Sequence, residues 1–303
     1  LYLGDLGPDP GHQPNPAVHG AIPNPVRAEN DVYGHRIWPG KKWLRKPQFT
    51  YGWDWVDALP NIGIWRGVHL EGRSMAVLPE IRVDALMHGQ QWMLEIDAVV
   101  ENLHPWSERR CVLTVDIRPP DGSSAITRRY DVDVPPGRMS VRDHVPVPNP
   151  QLWWPNGMGA QPLYAVTARV VDVAGTVCDE CRFHIGLRTI DIDRSRLKEG
   201  NRFCIRVNGQ EVFCRGGNIG PHDIIPARIT DAKVEAVVAE AKQANMNMIR
   251  INGCSIFESP AFYDACDRMG ILVWHDFMLT CTTYPEDDAA FAAAIRAETE
   301  TIV

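Results

Sequence analysis

Residues 246–277 read MNMIRINGCSIFESPAFYDACDRMGILVWHDF, which in order is strand, loop, helix and strand, the length of one βαβ unit. The apolar runs 246–251 and 271–273 are compact, as strands buried on both faces of a parallel sheet are. Between them, Ser259 before Pro260 reads as an N-cap followed by a proline at the first helical position. Phe262, Ala265, Cys266 and Met269 recur at i, i+3, i+4 and i+7, and Gly270 stands where the helix should stop. The polar residues Arg250, Asn252, Glu258, His275 and Asp276 then gather just past the carboxyl ends of the two strands. In parallel α/β folds that edge is where ligands bind.

The mixed α/β pattern extends back from this unit to about Leu187. Asn208-Gly209 is the two-residue signature of a tight hairpin turn between 203–207 and 211–213, and 214–218 continues into a further strand end. Thr230 or Asp231 caps a helix with Val234, Val237, Val238 and Ala241 on one face. Residues 287–303 begin another, with Phe291, Ala294 and Ile295 expected inward. Further upstream, from about Ser74 to Gly186, the period changes to two. Trp92, Leu94, Ile96 and Ala98 alternate with Glu95 and Asp97, Cys111, Leu113, Val115 and Ile117 with Thr114 and Asp116, and Val166, Ala168 and Val170 with Thr167 and Arg169. With turns such as Pro120-Asp121-Gly122, this alternation predicts an immunoglobulin-like β-sandwich. Short strands are expected around the tryptophan cluster in 41–72, and long surface loops over the Pro-, Gly- and Asn-rich residues 1–40.

Composition narrows the function classes. The 303 residues are 45% hydrophobic and 23% charged, ordinary for a globular chain of two or three domains. A net charge of −7 gives no basic footprint, which argues against nucleic acid and anionic membrane surfaces as partners and suits a neutral substrate. No apolar run approaches the roughly 18 residues of a spanning helix. The chain begins neither with Met nor with a signal-like pattern, so the natural N-terminus is expected to precede Leu1. Eight cysteines spread through apolar segments read as a reduced interior, which favours the cytoplasm. Cys178 and Cys181 form a single CxxC; without a second pair at zinc-like spacing they read as strand cysteines, and no metal site is expected.

The sequence also resembles a known family. The segments 245–250, 262–267 and 270–277 resemble the start of the catalytic barrel of glycoside hydrolase family 2, nearest its β-mannosidase branch. Three upstream stretches match in the family's order: Tyr51-Gly52-Trp53-Asp54-Trp55 with Gly63-Ile64-Trp65-Arg66, Leu152-Trp153-Trp154-Pro155-Asn156-Gly157, and FHIGLRTI at 183–190. The resemblance implies a multidomain β plus α/β chain. Residues 1–73 would be the C-terminal part of a jelly-roll domain, 74–187 the immunoglobulin-like sandwich, and 188–303 the first three strands of a (β/α)8 TIM barrel.

It implies as well an exo-acting, retaining β-glycosidase that needs no cofactor and takes a β-linked oligosaccharide or glycoside, with β-mannoside first and β-galactoside, β-glucuronide or exo-β-glucosaminide as alternatives. In the family the acid/base glutamate follows an asparagine after the fourth strand and the nucleophile lies near the seventh. No Asn-Glu dipeptide occurs here, so both glutamates are expected beyond Val303 and no catalytic residue is expected within the chain. A complete chain of this length could only be a non-catalytic carbohydrate-binding protein, and self-association is left open.

The substrate-binding residues expected are Trp53, Asp54, Asn218, Arg250, Asn252 and Asp276. By resemblance, Asp54 reaches from the jelly roll into the barrel mouth; read from the residues alone, 53–55 could equally be a tryptophan plug between domains with a capping aspartate. Arg250 ends a buried strand, so it must meet a carboxylate or project into a polar mouth. Glu258 is either its partner or the acidic residue before a helix, and His275 and Asp276 either join the site or cap the following loop. His222 and Asp223 match the family's first substrate-binding loop loosely. The chain departs from the family at Asn252-Gly253-Cys254-Ser255, where a tryptophan followed by three glycines is usual. Asn252 in place of an aromatic wall implies a wider, more polar pocket.

Overall fold

The computed structural model of the chain describes residues 43–53, 55–57, 59, 63–280 and 284–302. Residues 1–40, expected as loops, and Asp54 lie outside these. The described chain is mostly β, with seven strands paired in two antiparallel sheets ahead of a smaller parallel sheet.

The seven strands are β1 (Ala76–His88), β2 (Gln91–Asn102), β3 (Arg109–Arg118), β4 (Ile126–Val134), β5 (Gly137–Pro146), β6 (Tyr164–Asp172) and β7 (Val177–Ile185). They pair as β1-β2-β5 and β4-β3-β6-β7. The period-two alternation decides which side chains meet: Leu94, Ile96 and Ala98 of β2, Leu113, Val115 and Ile117 of β3, and Val166, Ala168 and Val170 of β6 are buried in one core between the sheets. Each Val, Leu or Ile side chain among these contributes about 1.5–3 kcal/mol relative to exposure. In β7 the register slips between Val170 and Val171 of its partner, and Cys178 is the residue passed over. That bulge lets Cys178 and Cys181, three apart, both pack against the core as free thiols.

The stretch 43–72 departs from expectation. Its described residues hold no strand: a 3₁₀ turn spans Gln48–Tyr51, and Trp53 and Val56 form an isolated bridge. Pro47, Gly52 and Pro60 punctuate the run too often for a ladder to extend.

After the sandwich come β8 (Ile190–Asp193), β9 (Arg196–Leu197), β10 (Gly200–Asn201), β11 (Cys204–Val207) and β12 (Gln210–Val212), with β11 central between β12 and β8. The expected Asn208-Gly209 turn joins β11 to β12 with φ of 51° and 76°, both left-handed. Then β13 (Gly216–Ile219), β14 (Met248–Ile251) and β15 (Leu272–His275) form a parallel sheet in that order. A Cβ at Gly216 would run into the Met248 carbonyl, so glycine permits the close β13–β14 approach.

Helix α1 (Asp231–Gln243) follows β13 and α2 (Pro260–Met269) follows β14. Thr230, not Asp231, caps α1, its Oγ1 accepting from Lys233 N at 3.3 Å. Gly270, with φ 77°, ends α2 as expected, but the Ser259 hydroxyl makes no cap bond and is buried without a partner. The two helices bury Val234, Val238, Phe262, Ala265 and Cys266 against Ile249 and Ile251. Helix α3 (Ala289–Ile302) has no buried residue, and Ala294 is exposed rather than inward. It is held by Trp43 against Phe291 at 6.3 Å and by the Arg45–Glu298 ion pair at 2.6 Å.

The LWWPNG stretch joins sandwich to parallel sheet. Trp153 is buried against Val207, Val212 and Leu272, donates from Nε1 to Asp267 O at 2.7 Å and carries the Arg188 guanidinium 4.5 Å from its ring centroid. Asn156 Nδ2 donates to Lys242 O and Met246 O, and its N–H to Gly270 O, so it serves the ends of α1 and α2 together.

Candidate functional site

Strand parity sorts the polar residues of the parallel sheet onto two faces. In β14, Ile249 and Ile251 turn toward the helices, so Met248 and Arg250 turn away. Residues in register share a face, and Asn218 pairs with Arg250 and Arg250 with Trp274. Asp276, two beyond Trp274, returns to that face. Its N–H extends the ladder by donating to Ile251 O at 3.0 Å.

The result is one polar group built from three successive strand ends. Arg250 Nη1 donates to Asn218 Oδ1 at 3.0 Å, while Nε (3.3 Å) and Nη2 donate to the two carboxylate oxygens of Asp276. The side chains of Arg250 and Asp276 are 40% and 25% exposed, so this is a forked ion pair open to water. Such a pair adds about 0–1 kcal/mol to stability. What it does supply is a fixed carboxylate, a fixed guanidinium and, in Asn218, amide N–H groups beyond the oxygen that Arg250 occupies.

Other expected residues are used differently. Asn252 stays out of this row: its Oδ1 accepts from Cys254 N at 3.1 Å and Sγ at 2.6 Å, and its Nδ2 donates to Ile219 O at 3.3 Å. It shapes the loop from within. Asp223 accepts from Ile225 N and Lys233 Nζ, and these bonds hold its carboxyl below the usual range. Glu258 pairs with His222 rather than Arg250, and His275 meets Tyr263. Trp53 forms its bridge with Val56, and half-exposed Trp55 stacks on Phe49 at 5.9 Å. Phe49 N donates to Cys254 O at 3.3 Å, and the Trp55 ring lies 3.7 Å from where a Cβ of Gly220 would stand. The tryptophan block therefore rests on the loops after β13 and β14.

Sequence reasoning missed Trp274 and Tyr263. Trp274 is 42% exposed in the row with Arg250, its ring 5.8 Å from that of Phe203. The signal was its spacing of two from Asp276. A 470 Å³ cavity lined by Trp274, Phe203, Ile192, Met248 and Leu272, with largely apolar walls, runs beside β15.

Burial lowers the pKa of His275, against the opposing charges of Glu258 and Asp276. The folded chain therefore binds this proton less readily than the unfolded chain, so stability is lost as pH falls below the ordinary histidine value and regained above it. His275→Gln cannot protonate and should flatten the fall in melting temperature between about pH 7 and pH 5; an unchanged slope would remove His275 from the explanation.

Among the described residues no cluster of His, Cys, Asp or Glu is arranged to hold a metal ion, and no helix is long and apolar enough to cross a membrane.

Residues 79–188 match the model of the Glycosyl hydrolases family 2. The chain is 32% identical over 249 residues to beta-mannosidase B of Aspergillus fumigatus, covering 82% of this chain and 28% of that one. It is 33% identical over 264 residues to beta-mannosidase B of Thermothelomyces thermophilus, covering 86% and 30%. The crystal structure of a beta-D-mannosidase from Dictyoglomus thermophilum superposes with a TM-score of 0.84 at 28% identity, covering 95% of this chain and 34% of that one. The chain thus spans about a third or less of the length of these relatives.

Proposed function

The chain belongs to glycosyl hydrolases family 2, and from this we propose that it forms the substrate-binding part of an exo-acting, retaining β-glycosidase whose first substrate is a terminal β-mannoside. The observation that carries the reading is the Asn218–Arg250–Asp276 group, assembled at the carboxyl ends of three parallel strands in a chain whose relatives are β-mannosidases. On this reading β13 to β15 are the first strands of a (β/α)8 barrel, 74–187 an immunoglobulin-like domain and 1–73 the end of a jelly roll. The open face carrying Met248, Arg250 and Trp274 is the barrel interior.

Chemically, Asp276 accepts and Asn218 donates hydrogen bonds to sugar hydroxyls, Arg250 fixes both, and Trp274 offers an apolar face. Trp53 adds to the wall from the tryptophan block, Asp54 is proposed as a binder by resemblance alone, and Asn252 acts through the shape of its loop. Retention requires two carboxyl groups about 5–5.5 Å apart, one proton donor and one nucleophile. On this reading those glutamates are expected to follow Val303, since no Asn-Glu dipeptide precedes it.

The test is hydrolysis of aryl β-mannoside, β-galactoside, β-glucuronide and β-glucosaminide by the 303-residue chain and by the protein with the sequence that follows it in the gene. The extended protein should turn over β-mannoside best, and the 303 residues alone should not exceed the buffer rate. Turnover by the short chain would overturn the placement of the glutamates; a preference for another glycoside would overturn the specificity.

A further inference from the structure

Behind the Asn218–Arg250–Asp276 row, on the face of the sheet that α1 and α2 cover, lies a second set of polar side chains. Glu258, in the loop between β14 and α2, has a side chain only 1% exposed, and its Oε2 lies 3.1 Å from Nε2 of His222, itself 4% exposed in the loop after β13. The other carboxylate oxygen, Oε1, has no hydrogen-bond partner, and neither has Nε2 of His275 at the end of β15. Nδ1 of His275 meets the Tyr263 hydroxyl at 3.1 Å, and Phe257 closes edge-on over the imidazole at 4.9 Å. The hydroxyls of Ser255 and Ser259, in the same loop as Glu258, are also buried without partners.

Burial is the main cause lowering His275 and raising Tyr263 (to about 12) and Cys266, and on all three the Glu258 carboxylate acts upward. A buried carboxylate with one oxygen unbonded is a cost to the fold, and its presence beside three strand ends asks for a role there. Geometry supplies one. His275 and Asp276 are neighbours in sequence whose side chains go to opposite faces, so a rotation of the backbone that relieves one must turn the other.

We propose that Glu258 is a positioning residue for the Arg250–Asp276–Asn218 group: a buried carboxylate that fastens the loop after β13 to the loop after β14 and acts on the end of β15, keeping the three strand ends in register. Its bearing on catalysis rests on the reading of that group as sugar-binding. Glu258 touches neither Arg250 nor substrate; it works through His222 and His275. The charged and titratable groups on its side of the sheet are His222 from the first loop, Tyr263 and Cys266 from α2, and His275 from β15.

The experiment uses the 303-residue chain and reads histidine ring and Arg250 Nε–H signals by NMR. Glu258→Gln keeps shape and one acceptor but removes the charge. The His275 titration midpoint should then fall by about half a pH unit, and exchange of the Arg250 Nε–H with water should rise about tenfold as the strand ends loosen. Glu258→Asp restores the charge and should return the midpoint toward that of the parent. A folded Glu258→Gln with both readings unchanged overturns the proposal, and so does a lowered melting temperature with neither reading moved, which is what a merely structural side chain would give. If Glu258→Gln does not fold, His222→Gln decides on the Arg250 exchange: a rise supports the proposal and no change overturns it. None of these readings is sugar hydrolysis, so failure of the glycosidase reading, seen as absence of turnover in the extended protein, is distinguished from failure here.

Discussion

Trp153→Ala should destabilise the parallel unit by about 3–5 kcal/mol, the usual loss for a large aromatic removed from a packed core. Three contacts are lost together. The indole is 1% exposed and fills the space among Val207, Val212 and Leu272. Its Nε1–H satisfies Asp267 O near the end of α2, and its ring face lies under Arg188, which also pairs with Asp267 at 3.2 Å. Burial raises the Asp267 carboxyl while Arg188 draws it back down, so loss of the indole floor exposes a strained pair as well as a cavity. Trp153→Phe refills most of the volume without the N–H and should cost only about 1–2 kcal/mol. Since a domain is stable by only about 5–15 kcal/mol, the alanine variant should show a separate early transition in denaturant, with the sandwich unfolding later. A single transition displaced by less than about 1 kcal/mol would mean that Trp153 does not hold the joint.

How far this arrangement was legible in sequence depended on whether a local rule decided the outcome. Period two fixed the inward residues of β2, β3 and β6, because a half-buried sheet face permits no other phase. Asn208-Gly209 fixed its hairpin because two consecutive left-handed residues are costly for most side chains. The same rules put Arg250 and Asp276 at strand ends. Their meeting through a forked pair could be expected from burial but not located, since it depends on register between strands far apart in sequence.

Where expectation failed, a competing interaction had won. Ser259 does take the N-cap position with Pro260 at the first helical position, but its backbone carbonyl, not its hydroxyl, takes the bond from Phe262 N at 2.9 Å. Asn252 stands where the family has an aromatic wall, and its short amide bonds the nearby Cys254 N–H and so shapes its own loop, which composition alone does not show. Of the two readings open for Glu258, partner of Arg250 or acidic residue before a helix, parity removes the first by putting Arg250 on the opposite face of the sheet, and His222, a residue of another loop, becomes the partner. The tryptophan block 53–55 was read as either plug or sugar wall. Its rest on the loops after β13 and β14 serves both, since a block that packs there also borders the strand ends.

In the glycosidase proposed above, Arg250→Ala should lower kcat/KM by about 2–4 kcal/mol, roughly 30- to 1000-fold, while changing the melting temperature little. The asymmetry follows from exposure. A forked pair with 40% and 25% of its side chains in water gives back little folding energy when broken, because water replaces each partner. Its value lies in geometry: without the guanidinium, Asp276 and Asn218 are free to rotate, and hydrogen bonds to sugar hydroxyls that strengthen toward the transition state are misplaced. Arg250→Lys keeps the charge but cannot span Asp276 and Asn218 at once, so it should recover only part of the loss. Asp276→Asn tests the other arm and should cost a similar amount. Because both variants disable one group, the double variant Arg250→Ala/Asp276→Asn should lose much less than the two single losses added. Additive losses would show that the two residues contact substrate independently. Unchanged kcat/KM with a lowered melting temperature would return the pair to a structural role and remove the observation on which the glycosidase reading most depends.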